Sequence, residues 1–380
     1  MKKILYISGT RADYGLMQST LRSINNDPKL KLEIIATGMH LMEEFGTTLK
    51  EIKKDGFTYH SVEAKYEEDD QSSMVEFIGV LLQKLPSLIK DINPDIILLL
   101  GDRGEMLAGA ITGTYLGLPV AHIHGGEVSS TVDDFTRHAI TKLAHIHFPA
   151  TELSAQRIFK MGETQETIFV TGAPGLDSIL HEELMEPENI ARNYGLDLSK
   201  PIIIVIQHPV SMEVENACDQ IRQTLEAIID LNFQSVIIYP NSDAGGRKMI
   251  EVIKSYEFYQ NIKTYKSIPR KEYLSLLNIA SVLVGNSSSG IIEASSFRLP
   301  VVNIGTRQEG RERADNIIDA AYEKTDITSK ILLCLFDENF KQKVKSCNNP
   351  YGNGKTGEKI IAILSNINIT EKLLQKKSSH

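Results

Sequence analysis

Short runs of Ile, Val and Leu recur along the chain with helix-forming stretches between them, and this alternation constrains the fold more than any other feature. The runs fall at residues 4–7, 32–35, 96–100, 120–123, 202–206, 236–239, 282–284 and 301–304, with almost no polar residue inside them. A strand that is apolar on both faces belongs in a sheet covered on both sides. Helical spacing of apolar residues follows between the runs, for example over 74–89 and 221–229. Strand and helix in alternation predict parallel sheets with right-handed crossovers, hence an α/β fold.

At 380 residues the chain exceeds one ordinary core and suits two domains of roughly 150 to 200 residues. A polar stretch over 187–201, with Asn189, Asn193, Gly195 and Ser199, precedes a fresh buried strand and marks the change. The division expected is a first domain at 1–180, a second at 181–364 and a tail at 365–380. Two such domains face one another across a cleft, and ligands bind beyond the carboxyl ends of their strands.

A net charge of −8 opposes general affinity for nucleic acid or an anionic membrane, so anion binding has to be local. Cys218, Cys334 and Cys347 show neither CxxC spacing nor an even count, which reads as reduced thiols and no zinc site. The start, MKKILYISGTRADYG, reads as a strand rather than a signal peptide, and the apolar runs are too short for a membrane span. The expected compartment is the cytoplasm.

The unusual residues sit directly after the strands. Arg11 follows the first, in Ser8-Gly9-Thr10-Arg11, where backbone amides at a helix start make a small anion site. Asp102 and Arg103 follow the third, with an ordinary helix cap as the plainer role for Asp102. The stretch from His122 to His138 brings Glu127, Asp133 and Asp134 together after the fourth. Carboxylates crowded in a cleft have their pKa values pushed apart, which makes one an acid and another a base. His122 and His124 alternate on a strand, so they point to opposite faces and do not share a metal.

In the second half, His208 ends one strand, and Asn241 with Asp243 ends the next. Gly285-Asn286-Ser287-Ser288-Ser289-Gly290 opens a helix carrying Glu293, and reads as a phosphate cradle with Ser287, Ser288 and Gly290 at its heart. Arg307, Arg311 and Arg313 follow, as further anion ligands or as a solvated loop. There is no P-loop, zincin motif or nucleophile elbow. What the strand ends share is polar chemistry suited to a nucleotide diphosphate sugar held between two sheets.

These residues resemble the hydrolysing UDP-N-acetylglucosamine 2-epimerases, including the epimerase half of the mammalian bifunctional epimerase and N-acetylmannosamine kinase. The resemblance spans nearly the whole chain and rests on Gly9-Thr10-Arg11-Ala12-Asp13-Tyr14-Gly15, Gly101-Asp102-Arg103, His124-Gly125-Gly126-Glu127, Asp133-Asp134 with Arg137-His138, Gln207-His208-Pro209-Val210 and Gly285–Gly290. Asp133-Asp134 stands where many bacterial members have Asp-Glu, and Glu127 where the mammalian epimerase half has aspartate.

The resemblance implies two Rossmann-like domains of the glycosyltransferase-B type, a C-terminal segment that returns to the first, and no cofactor or metal. It implies removal of the C2 proton and loss of UDP to give a glycal, then hydration to N-acetylmannosamine for sialic or related nonulosonic acids. Carried over by position, catalysis falls to Asp102, Glu127, Asp133, Asp134 and His208. UDP binding falls to Arg11, Arg103, Asn241, Ser287, Ser288, Gly290, Glu293, Arg307 and Arg313. The expected partners are a UDP-sugar and further copies of the chain, as a homodimer or homotetramer, with no nucleic acid or membrane. The alternatives are the same reaction on a UDP-2,4-diacetamido-2,4,6-trideoxyglucose, a non-hydrolysing epimerase, or a glycosyltransferase of the same fold.

Overall fold

The computed structural model describes residues 1–129, 132–181 and 183–376. Ser130 and Thr131 of the acidic stretch, and residues 377–380 of the tail, lie outside the described residues.

Six parallel strands make the first sheet: β1 (Lys2–Ser8), β2 (Leu30–Ala36), β3 (Tyr59–Ser61), β4 (Ile96–Leu100), β5 (Val120–Ile123) and β6 (Ile146–Phe148). Their order is β3-β2-β1-β4-β5-β6. The second sheet contains β7 (Ile202–Ile206), β8 (Gln234–Ile238), β9 (Ile262–Tyr265), β10 (Val282–Gly285), β11 (Val301–Ile304) and β12 (Ile317–Ala320). Its order, β12-β11-β10-β7-β8-β9, is that of the first sheet read from the other side. Both are doubly wound sheets of the Rossmann type, and in both the direction of winding reverses between the first and fourth strands, β1/β4 and β7/β10. The loops leaving those four strands are therefore the ones aimed at a ligand.

The eight apolar runs are the inner strands. The register sets Ile4 beside Leu32 on one flank and Ile96 on the other, and Ile4 through Ile7 are fully buried. The four strands not expected from the sequence, β3, β6, β9 and β12, are the edges. The helix Gln71–Ile92 is long and apolar enough to cross a membrane by length and composition, but it covers the first sheet, with Phe77, Leu81, Leu85 and Ile89 in the core.

The helix Thr356–Asn366 packs on the helix Arg11–Asn26, its Ile360 and Leu364 entering the same core as Met17 and Leu21. The Asp177 carboxylate receives its first amides, Thr356 N at 2.9 Å and Gly357 N at 2.6 Å. Lys2 Nζ donates to the carbonyls of Leu364 and Ser365 at its other end. This corrects the boundary drawn at 364/365, because the return to the first sheet begins with this helix.

Polar contacts join the two halves across the cleft. Asp69 accepts the amides of Gly245 and Lys248, both at 3.0 Å, and so caps the second-half helix Gly246–Lys254 from the first half. Arg247 of that helix pairs with Glu44 at 2.7 Å.

Candidate active site

A cavity of about 290 Å³ lies between the carboxyl edges of the two sheets, at both reversal points. Six arginines (Arg11, Arg103, Arg137, Arg270, Arg307 and Arg311) and Lys266 line it against four carboxylates, Asp13, Asp102, Asp133 and Glu293. A chain that is acidic overall thus presents a locally cationic cleft.

The turn after β1 is set by its own side chains. Thr10 caps the helix Arg11–Asn26, and Asp13 completes the capping box, taking the amides of Gly9 (3.0 Å) and Thr10 (2.7 Å). A Cβ on Gly9 would stand 1.8 Å from Oε1 of the buried Glu105, so no larger residue fits there. Arg11, the first helical residue, donates through Nε to the Ile268 carbonyl of the second half at 2.5 Å.

The acids separate into two groups. Asp102 pairs with Arg137. Burial opposes its charge, but Arg137, with Arg311 and Arg307, outweighs the burial and holds the carboxyl below the usual range. Asp133 sits on the first turn of the helix Val132–Leu143, with Arg307 at 3.4 Å. Burial and then the charge of Asp102 push it up to about 6, with Arg307 offsetting only part. Two neighbouring carboxyls are thereby driven in opposite directions.

Glu127 and Asp134, expected among the catalytic acids, stand behind the cavity wall, each against an arginine that lines it. Glu127 is buried behind the wall, with His124 Nδ1 at 2.5 Å and Arg311 at 3.0 Å. Burial disfavours its charge, yet His124 and Arg311 bring it down to about 2, so it serves as a fixed counter-charge. Asp134 takes the Ser129 amide at 2.8 Å and stands 3.5 Å from Arg137. Both contacts brace the start of its helix.

On the opposite wall, His208 is held by the Asn286 side chain, which bonds its backbone on both sides (2.7 and 2.9 Å). Its Nδ1 accepts the Asn241 amide at 3.1 Å, so the ring proton is on Nε2. Burial, with Arg307 and Arg103 nearby, lowers its pKa well below the ordinary value. His208 therefore presents a neutral Nε2–H donor to the cavity. Ser287 caps the helix Ser288–Ile292, and Ser287, Ser288, Asn241 and Glu293 all line the cavity. Glu293 is buried in an ion pair with Arg270, which also donates to the Gly175 carbonyl at 2.9 Å.

Three residues expected to bind the nucleotide are engaged in packing or pairing within the protein. Gly290 faces the sheet, where a Cβ would meet Val301 at 3.0 Å, so it is a packing glycine. Arg313 lies outside the cavity in a two-pronged pair with Asp319, at 2.6 and 2.7 Å. Arg103 lines the cavity, but its guanidinium already meets Glu105 (2.9 Å) and Tyr66 (3.3 Å) of the first half and Ser242 (3.3 Å) and Asp243 (3.4 Å) of the second. It is a strut between the halves.

Sequence reasoning gave no role to Arg137 and left Arg311 undecided. Arg137 follows Asp133 by four residues, the spacing that puts both on one helix face, and that signal was available. Arg311 is 8% exposed, with Nε and Nη1 buried and without a hydrogen-bond partner among the described residues, which only the folded loop reveals.

Residues 22–365 match the sequence model of a family described as UDP-N-acetylglucosamine 2-epimerase. A Legionella pneumophila protein named UDP-N,N'-diacetylbacillosamine 2-epimerase (hydrolyzing) is 42% identical, covering 100% of both chains. A Neisseria meningitidis UDP-N-acetylglucosamine 2-epimerase is 37% identical over 87% of each chain. A Campylobacter jejuni GDP/UDP-N,N'-diacetylbacillosamine 2-epimerase (hydrolyzing) is 34% identical over 86% of each. Among solved structures, that of a UDP-GlcNAc 2-epimerase from Neisseria meningitidis bound to UDP-GlcNAc superposes with a TM-score of 0.81, covering 95% of this chain and 99% of that one. At 19% identity it speaks for the fold.

Proposed function

The chain belongs to the UDP-N-acetylglucosamine 2-epimerase family, and we propose that it is a hydrolysing member acting on a UDP-2,4-diacetamido-2,4,6-trideoxyhexose, inverting C2 and releasing UDP. The observation that carries the chemistry is the Asp102/Asp133 pair, two carboxyls on one wall with opposed pKa shifts. Asp133, ionised above its raised pKa of about 6, takes the C2 proton and gives it up to solvent at the end of the cycle. The electron pair of that bond forms C1=C2 as the C1–O bond breaks and UDP leaves. Water then adds oxygen to C1 and hydrogen to C2 from the opposite face. Asp102, kept ionised by Arg137, orients that water.

The departing diphosphate meets the His208 Nε2–H, the Ser287 and Ser288 hydroxyls and Arg307, with Arg11 beside them. Glu293 and Asn241 hold the nucleoside side. Arg311 has donors to spare for the diphosphate or the sugar amide. No step calls for a cofactor or metal.

The sugar is chosen from the relatives. The Legionella relative at 42% identity and the Campylobacter relative at 34% both bear the diacetylbacillosamine name, which favours this reading over UDP-N-acetylglucosamine with N-acetylmannosamine as product. The Neisseria relative at 37% identity keeps that second reading in play. The free thiols Cys218, Cys334 and Cys347 suit the cytoplasm, and a homodimer or homotetramer is the assembly we expect.

Turnover of both sugar nucleotides in heavy water, followed by NMR, tests the proposal. The expected result is stoichiometric free UDP, deuterium at C2 of the released sugar, and the diacetamido substrate preferred by at least tenfold in kcat/KM. Preference for UDP-N-acetylglucosamine would move the chain to the second reading. A UDP-linked epimer without net UDP would make it a non-hydrolysing isomerase.

A further inference from the structure

Lys376 lies far from the cavity in sequence and on no wall of it, yet its side chain closes the far end of the helix that carries Asp133. The helix Val132–Leu143 is twelve residues, ~18 Å long. Its last carbonyls have no partners within the helix, and such an end favours a cation. Lys376 Nζ supplies one, donating to the carbonyls of Thr141 (3.2 Å), Lys142 (2.5 Å) and Ala144 (2.5 Å). Glu163 balances the ammonium at 2.9 Å and also pairs with Lys142 (2.6 Å) and His147 (3.2 Å). The residues just before Lys376 are held twice: Leu373 packs against the first-half core, and the His145 ring meets the backbone of Leu374.

From that end a chain of contacts runs back to the cavity. The Thr141 hydroxyl bonds the Arg137 carbonyl at 2.9 Å and faces His122 Nδ1 at 3.2 Å. His122 Nε2 donates to the Gly101 carbonyl at 2.7 Å, which fixes the turn immediately before Asp102. Arg137, on the same helix, grips Asp102 itself. One helix thus sets Asp133 directly and Asp102 through two separate contacts, and its C-terminal turn depends on an ammonium from the end of the chain.

We propose that Lys376 is a positioning residue for the two reacting carboxylates, acting through the C-terminal cap of Val132–Leu143. The inference rests on the reading of Asp102 and Asp133 as the reacting pair. Loss of turnover in Asp102→Asn and Asp133→Asn tests that reading, and backbone hydrogen exchange tests the positioning without any turnover.

The experiment compares the full chain with Lys376→Met and Lys376→Arg. For Lys376→Met the expected outcome is a kcat five- to twentyfold lower, KM within twofold, UDP affinity unchanged, and faster exchange of the amides of 132–143 with no change in β7 or β10. Lys376→Arg, which keeps a cation there, recovers at least half of the lost kcat. The proposal is overturned if kcat stays within twofold of the parent, if KM rises with kcat preserved, or if exchange over 132–143 is unaltered. Should Lys376→Met prove insoluble, Lys376→Gln replaces it, with the same outcomes counted the same way.

Discussion

The two sheets have one strand order, but the loops leaving their carboxyl edges carry different chemistry. The first edge offers Asp102 and Asp133, two carboxyls held at opposite ends of their range by burial and arginine. The second offers donors: the neutral His208, two serine hydroxyls, and Arg307 and Arg311, which cross the cleft to Asp133 and Glu127. One topology thus sets the cleft twice over, while the loop residues differ, and on the proposed function one side reacts and the other holds. The difference also shows in the ion pairs. Asp102–Arg137 stays within the first half, Arg270–Glu293 within the second, and among the described residues the pairs that cross between halves all involve an arginine.

If the division of labour is right, damage to each edge has a different signature. The largest effect is expected for Asp102→Asn, which keeps the shape and removes the charge: kcat falls roughly a thousandfold, or about 4 kcal/mol of barrier, while calorimetric UDP affinity stays within threefold. Equal losses in kcat and UDP binding would break the comparison. Glu293→Gln reverses the pattern. It leaves the buried Arg270 without a counter-charge, so urea unfolding should report a loss of about 3 kcal/mol, and UDP affinity should drop with it.

A third prediction concerns pH. Asp133 is raised to about 6 in the folded protein, against ~3.9 for an unfolded aspartate. Between those values the folded state binds more protons than the unfolded one, so this residue's contribution to stability declines as pH rises through the window. Activity moves the other way, rising as the carboxylate ionises. The difference between parent and Asp133→Asn, in both the kcat profile and denaturant midpoints from ~pH 4 to 7, isolates the two opposed slopes. Parallel slopes would remove Asp133 as the proton acceptor. The smallest effect is expected for Arg313→Ala. Its pair with Asp319 is largely exposed, so stability should change by less than about 1 kcal/mol and UDP affinity not measurably.

The same contrast between inner and outer positions governs what the sequence discloses. An inner strand such as Ile202–Ile206 is buried on both faces, and its residues announce that by being uniformly apolar. An edge strand such as Tyr59–Ser61 or Ile317–Ala320 has a neighbour on one side only, and its mixed residues look like loop. The cavity residues that follow an inner strand, Asp102, His208, Ser287 and Ser288, were legible for the same reason. Arg313 was read together with Arg307 because a loop of three arginines does not say which one turns inward. Only the fold shows Arg311 against Glu127 and Arg313 against Asp319. Gly290 misled because a glycine among serines resembles a phosphate loop, whereas the close approach of Val301 is a matter of tertiary packing. Glu105 gave no signal at all, since its place beneath Gly9 depends on two segments nearly a hundred residues apart.

The cap that Asp69 places on Gly246–Lys254 bears on how freely the two halves can be exchanged between relatives. Each half has its own six-stranded sheet, and a chimera that takes residues 1–181 together with the returning segment from Thr356 onward from one relative would inherit both sheets and that packing intact. If the donor of the first half has no acid at the position of Asp69, however, the amides of Gly245 and Lys248 lose their acceptor, and no side chain of the second half caps that helix in its place. A missing N-cap is worth ~1 kcal/mol, felt only when the halves are together. Compatibility between halves would thus depend, beside the arginine pairs that cross the cleft, on a residue that touches neither the cavity nor the linker.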